Sequence, residues 1–450
     1  MRGCEPQPGQ RGKPGGSMST SSSKPARKHL RASDLRGVVQ LAAQATTGAS
    51  RIAEGVHQSV WSTLGVAGGK GKAQTGGLTG LIYSTVRGIA QLAGLGVDKL
   101  LGALQPLIES AEAAPSGSPQ REAALAALNG VMGDRLAASA NPLAARMSLR
   151  CQGEALDWNA LPKDLKPGGK IVILIHGLCM NDLQWYAQRE GVAVDHGQAL
   201  AAALDYTPLY LRYNTGLHTS QNGRELAAQL EQLVTHWPVP VKEITIVAHS
   251  MGGLVTRSAV VYARQGVKHS APHGAMRWPQ HLKHIVFLGT PHHGAPLERA
   301  GNWVDVLLGA TPYSKPFVKL TTLRSAGITD LRFGYVIDED WIGHDRFRRS
   351  PDRRVPVPLP AGVACYTVAA TMAAKRSVLA DRLTGDGLVP LRSALGQHDD
   401  ARHTLAFAKT SQFIAYRTGH LALLYSMEVQ QQLLRWLTPV PRRRQVSRCA

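Results

Sequence analysis

The sequence predicts an α/β domain built on a mostly parallel sheet with helices on both faces, with a further helical region ahead of it. Three observations predict it. Short apolar runs of strand length recur at Ile171–Ile175, Leu209–Leu211, Ile244–Val247, Ile285–Leu288 and Val363–Val368, as suits strands buried on both sides. Stretches with helical spacing alternate with them at Arg224–His236, Gly252–Arg264 and Leu421–Leu437, the pattern of parallel strands joined by crossover helices. The 450 residues, 44% apolar and 18% charged, suffice to bury a large core.

In chain order, residues 1–34 read as a disordered basic tail rich in Gly, Pro and Ser, and residues 1–36 carry eight Lys/Arg against two acids. No apolar run follows them, so no secretory leader is predicted. Residues 35–150 read as a helical N-terminal region. Ile52, Val56, Val60 and Leu64 share one helix face, and Ile82, Val86, Ile89 and Ala93 another. The glycine-rich stretch 65–80 links them, and Leu125, Leu128, Met132 and Leu136 mark a third, short helix. These helices either pack on the rest of the chain or lie on a membrane surface or oligomer contact. No apolar stretch is long enough to span a bilayer. Residues 157–438 form the α/β domain, with 295–360 as an inserted segment, and residues 439–450 form a second basic tail.

The net charge of +20 comes largely from the two tails and from Arg346, Arg348, Arg349, Arg353 and Arg354. It is compatible with solvated ends or with attraction to an anionic membrane surface. The basic stretches lack interleaved aromatics, so nucleic acid is not an expected partner. The five cysteines are scattered without a CxxC pair, which argues against a disulfide framework or a zinc site.

In an open parallel sheet, functional groups gather where strands end. The run Ile244–Val247 leads into Ala248-His249-Ser250-Met251-Gly252-Gly253 and then a helix. Strand, tight small-residue turn and helix are what a serine nucleophile needs to stand above the sheet. Ala248 replaces the usual first glycine but keeps that position small. His249 is read as a turn side chain pointing away from Ser250. A tetrahedral intermediate needs two backbone N–H donors aimed at its oxygen. Met251, the residue after the nucleophile, supplies one; the turn His176-Gly177-Leu178 after the first strong strand supplies the other, assigned to Leu178. His176 shapes that loop, and Cys179 is read as a loop residue without a chemical role.

The expected chain order continues with an acid and then a histidine. Asp386, flanked by Gly385 and Gly387, suits the acid that orients the base, with Asp381 its competitor. His420, in Gly419-His420-Leu421 at the start of the last apolar stretch, suits the general base, ahead of His398 and His403.

The segments LIHGL, IVAHSMGG, LGTPHHGAP, GDGLVP and GHLALLYS together resemble the α/β-hydrolase lipases. The likeness is greatest to the branch shared by bacterial esterase/lipases and GPI inositol-deacylase-like proteins, and it covers about residues 170–436. It implies an α/β-hydrolase fold with a helical cap or lid over 295–360, whose Trp303, Tyr313, Phe317 and Trp341 would line an acyl entrance. It also implies that the strand end bearing His292 and His293 borders the active-site cleft. Secreted lipases of this motif carry a calcium-binding acid shortly after the histidine. Ala422 stands in that region here, and neither metal nor cofactor is expected.

The expected function is a serine carboxylic ester hydrolase on lipid-like or medium to long acyl esters, cytoplasmic or peripheral at a membrane. The alternatives are an acyltransferase of the same chemistry and a catalytically silent lipid-binding protein. Neither the substrate's alcohol nor the oligomeric state can be read from the sequence.

Overall fold

The computed structural model describes residues 36–37, 40, 119–189, 192–269, 276–295, 324–345, 351–374 and 385–439. The two helices expected over 52–64 and 82–93, both tails, Trp303, Tyr313, Phe317, Asp381 and the Arg346–Arg349 part of the basic cluster lie outside the described residues.

Six parallel strands form the body of the sheet: β3 (Lys170–Ile175), β6 (Thr207–Arg212), β7 (Glu243–His249), β8 (Leu282–Leu288), β9 (Ala364–Thr371) and β10 (Gln412–Tyr416). They contain four of the five apolar runs and the fifth from Ala364 onward, most of them extended by flanking residues, and add β10. Two short strands, β1 (Ser148–Cys151) and β2 (Glu154–Ala155), extend one edge antiparallel, giving the order β10-β9-β8-β7-β3-β6-β1-β2. A separate hairpin joins β4 (Ala187–Arg189) to β5 (Val192–Val194).

Strand side chains alternate between two cores. Ile171, Ile173 and Ile175 enter one, with Ile244 and Ile246 of β7; Val172 and Leu174 enter the other, with Val247. The first core is covered by α1 (Pro119–Ala138), α3 (Thr219–His236) and α4 (Met251–His269), and the second by α2 (His196–Leu204) and α5 (Met427–Leu437). The chain therefore leaves the neighbouring strands β3 and β7 toward opposite faces. Their carboxyl ends thus mark a topological switch point, the place where open α/β sheets bind ligands.

Two elements differ from expectation. The third N-terminal helix is not short: α1 spans 20 residues, bends at Met132, and buries Leu128, Val131 and Leu136 in the first core. The last apolar stretch is not one helix. His420–Leu424 is a 3-10 turn, Tyr425 breaks it with φ −135°, and Ser426 restarts the chain as α5 by capping the Val429 N–H. Among the described residues no helix is long and apolar enough to cross a membrane.

Candidate active site

β7 ends at His249, and α4 begins at Met251, leaving Ser250 alone in the turn with φ +56°. A non-glycine residue in this left-handed region is strained. The surroundings hold it there: Ser250 N–H donates to Leu288 O at 2.8 Å, and Gly253 N–H returns to Ser250 O at 3.0 Å. Space forces the sharpness of the turn. A Cβ on Gly252 would come within 2.7 Å of His176 O and 2.8 Å of Ile175 O, so only glycine lets the helix start this close to β3. Ala248 is buried without difficulty, because its methyl faces the first core.

The loop after β3 lies against this turn. The missing Cβ of Gly177 would stand 2.9 Å from Ser250 Cβ and 3.1 Å from His249 Nδ1. Leu178 is fully buried, and Cys179 follows with φ +59°. His176 does not face the nucleophile. Its ring stacks on Tyr213 at 4.5 Å, its Nδ1 is 2.9 Å from Gly177 O, and the Tyr213 hydroxyl donates to His176 O at 2.9 Å. Burial pushes its pKa down to about 3, so the ring is a neutral clamp on the loop. Burial likewise raises the Cys179 thiol to about 12, leaving it inert.

Asp386 and His420 meet where the loops after β9 and β10 converge. Asp386 Oδ1 accepts from Leu388 N–H at 2.9 Å and Val389 N–H at 2.7 Å, and Oδ2 lies 2.7 Å from His420 Nδ1. The backbone repeats the link, His420 N–H donating to Asp386 O at 3.0 Å. Both side chains are buried. A carboxylate beside Nδ1 requires the proton there, which leaves Nε2 as the basic atom.

Two residues to which the sequence alone assigns no such role pack against this dyad. Gly289, with φ +57°, follows β8, and a Cβ on it would lie 3.2 Å from both Asp386 Oδ2 and His420 Nδ1. The His249 side chain, expected to point away from Ser250, packs on His420. Its ring lies 4.6 Å from that of His420, and its Nε2 is 3.1 Å from His420 O. Burial, aided by His420, holds its pKa well below 6.5, so the neutral ring donates from Nε2. Ser250 Oγ, in a residue 1% exposed, makes no hydrogen bond among the described residues.

Ser250, Met251, Gly177, Leu178, Asp386 and His420 are thus gathered at one end of the sheet. His292 and His293 are not among them. The His292 ring is buried against Phe287 and Phe407, at 4.8 and 5.6 Å, and that of His293 faces His398 at 4.9 Å. Their loop meets the dyad through Gly289 instead, because the chain turns into the first core directly after it. The rival histidines His398 and His403 lie together, 5.0 Å apart, near Asp352. Trp341 stacks on His218 at 3.7 Å and donates to Ser220 Oγ at 2.9 Å, so it packs the described part of 295–360 onto the end of the loop after β6 and the start of α3. Among the described residues no group of three His, Cys, Asp or Glu side chains could hold a metal ion.

Residues 166–354 match the family model of the PGAP1-like alpha/beta domain. The chain has the α/β-hydrolase fold. Solved structures similar to this chain include the mature form of the Bacillus licheniformis lipase BlEst2. That likeness has 15% identity and a TM-score of 0.37, over 66% of this chain and 98% of that one. EstA from Clostridium botulinum is similar at 12% identity and a TM-score of 0.37, over 61% and 88% of the two chains. The phospholipase PlaB from Legionella pneumophila is similar at 15% identity and a TM-score of 0.31, over 50% and 45%. No curated protein matches the chain.

Proposed function

We propose that this α/β-hydrolase cleaves carboxylic esters of lipid-like alcohols or acids through an acyl intermediate on Ser250. The observation that carries the reading is the buried His420–Asp386 pair, 2.7 Å apart, packed on His249, the residue before a serine in a left-handed strand-to-helix turn. An ordinary turn serine needs neither the strain nor an oriented base next to it.

The chemistry follows from these positions. His420 Nε2 takes the proton of Ser250 Oγ as the oxygen attacks the ester carbonyl carbon. The carbonyl oxygen becomes an oxyanion and receives the N–H groups of Met251 and Leu178. Asp386 keeps the Nδ1 proton in place and stabilises the imidazolium. Collapse of the intermediate expels the alkoxide, which takes the proton from His420 Nε2 and leaves as an alcohol. Water then repeats the sequence on the acyl-serine, releasing the carboxylic acid and restoring Ser250. The first turn of α4 beneath Ser250 adds its dipole to the stabilisation of negative charge.

The test is turnover of p-nitrophenyl esters of graded chain length by the wild type and by Ser250→Ala, with labelling by a fluorophosphonate probe. Turnover and labelling in the wild type, both abolished in the variant, are expected. Equal turnover in both would overturn the assignment.

A further inference from the structure

The helix ahead of the α/β domain touches the loop that carries Leu178. Gly130 of α1 lies flat against Cys179: a Cβ on it would fall 2.2 Å from Cys179 Sγ, 2.9 Å from Cys179 Cα and 3.0 Å from its backbone nitrogen. No side chain fits between helix and loop. Two residues on, Asn181 Nδ2 donates to Glu122 O at 3.0 Å, while Asn181 Oδ1 accepts from Leu183 N–H at 2.9 Å. Behind this contact stands a chain of ion pairs. Arg121 meets Glu122 at 2.5 Å, Glu122 also pairs with Arg212, Arg212 reaches Asp182 at 2.5 Å, and Asp182 accepts from Arg150 at 3.2 Å. Asp182 is fully buried. The chain links α1 to the loop after β3 and to two strands of the sheet.

The same helix grips the neighbouring segments. Asn214 Nδ2 donates to Gly133 O at 2.9 Å, and Ser325 Oγ donates to Gly130 O at 2.6 Å. Ala326 N–H donates to Asp134 Oδ2 at 3.1 Å. Gly327 in turn lies against the nucleophile turn, since a Cβ on it would be 3.1 Å from Met251 Cε.

The loop needs such support. Cys179 holds φ +59°, an uncommon conformation for a residue with a side chain. It persists only where the surroundings impose it. Leu178 immediately precedes it, so a displacement of Cys179 carries the Leu178 backbone with it. Misplacing such a donor by a fraction of an ångström weakens stabilisation of the transition state more than binding of the substrate.

From these contacts we infer that α1 is a working part of the hydrolytic site: Gly130 and Asn181 are positioning residues that hold the oxyanion loop in register with Ser250. This rests on the hydrolase reading above. The role differs from attachment of α1 as a separate helical region, because the contacts converge on the one loop whose backbone must be aimed.

The experiment uses the full chain and two variants. Gly130→Ala pushes on Cys179. Asn181→Asp retains the acceptor for Leu183 N–H but sets a carboxylate oxygen against Glu122 O, and adds no volume. Amide hydrogen exchange of residues 177–183 tests the brace without reference to activity, and both variants are expected to lose protection there while α3 and α5 keep theirs. In hydrolysis, Gly130→Ala should lower kcat by about 10²–10³-fold, the size of a lost oxyanion donor. Asn181→Asp should lower it by about tenfold. KM should change by less than roughly threefold in each, and affinity for a boronic acid transition-state analogue should fall in parallel with kcat. Removing the obstructing sulfur in Gly130→Ala/Cys179→Gly should restore part of the loss. If Gly130→Ala does not fold, Asn181→Asp alone decides. Wild-type protection of the loop together with wild-type kcat in Asn181→Asp would overturn the inference. Absence of Ser250-dependent turnover in the wild type would instead overturn the hydrolase reading, and hydrogen exchange of the loop would then decide on the brace by itself.

Discussion

His249 Nε2 stands 3.1 Å from the carbonyl oxygen of His420, so the residue before Ser250 holds the backbone of the proposed base. The two rings lie 4.6 Å apart, and burial keeps His249 neutral. His249→Phe keeps the ring and its volume but removes the donor, leaving a buried carbonyl without it. Such a loss costs about 1–3 kcal/mol. If it is felt in the reaction, kcat falls by about tenfold or more while KM holds. Steady-state kinetics on a p-nitrophenyl ester checks this, and a wild-type kcat would show that the contact only fills space.

Asp386 accepts two backbone N–H groups on one oxygen and His420 on the other. Asp386→Asn keeps the size of the group but can present an amide N–H to Nδ1, driving the ring proton to Nε2. That tautomer cannot accept the serine proton. The expected fall in kcat is about 10⁴-fold, with little change in KM. Fluorophosphonate labelling of Ser250 should slow by a similar factor. A loss of only a few-fold would indicate that Asp386 is not the orienting acid.

Gly289 approaches the same pair from β8, with φ +57°. Gly289→Ala places a methyl 3.2 Å from both Asp386 Oδ2 and His420 Nδ1, and 2.7 Å from Leu423 Cδ1, in a backbone conformation that strains any side chain. Activity should fall by about tenfold or more, with a loss of stability of about 1 kcal/mol or more. Parallel urea melts and kinetics separate the two effects, and an unchanged kcat would show that the dyad tolerates displacement.

The parts of the fold that are legible in the sequence are those whose signal is local. Strands β3, β7 and β8 are buried on both faces, so their apolar runs stand out, and the turn at Ser250 announces itself by the small residues that sterics require. The meeting of Asp386 and His420 is legible because chain order and flanking glycines single them out. What is not legible depends on contacts between distant segments. Nothing near His249 in the sequence says that its ring reaches a carbonyl 171 residues away. Gly289 could be suspected, since a glycine directly after a buried strand and before Thr-Pro invites a left-handed turn. His292 and His293 enter the reading only through the family likeness, and their rings pack against Phe287 and His398, contacts that no local sequence signal gives. The last helix reads too long from sequence because an apolar 3-10 turn and an apolar helix have the same composition.

Acid stability offers a check that does not involve catalysis. His292 is fully buried between Phe287 and Phe407, and neither ring nitrogen makes a hydrogen bond among the described residues. Burial, with Arg257 nearby, holds its pKa well below the ordinary 6.5. Below pH 6.5 the unfolded chain therefore takes up a proton that the native state refuses. Stability is complete above 6.5 and falls as the pH drops, by about 1.4 kcal/mol per pH unit for each such group. His176 and His293, both pushed down to about 3, and His196, down to about 4, add the same sign. His292→Phe removes one of these groups at a site lined by aromatic rings and sacrifices no ring hydrogen bond. Urea unfolding between pH 7 and pH 5 should become less pH-dependent by one proton, leaving the variant less destabilised by acid by about 2 kcal/mol at pH 5. Parallel curves for variant and wild type would mean that His292 is charged in the native state, or that its ring is not closed off from solvent.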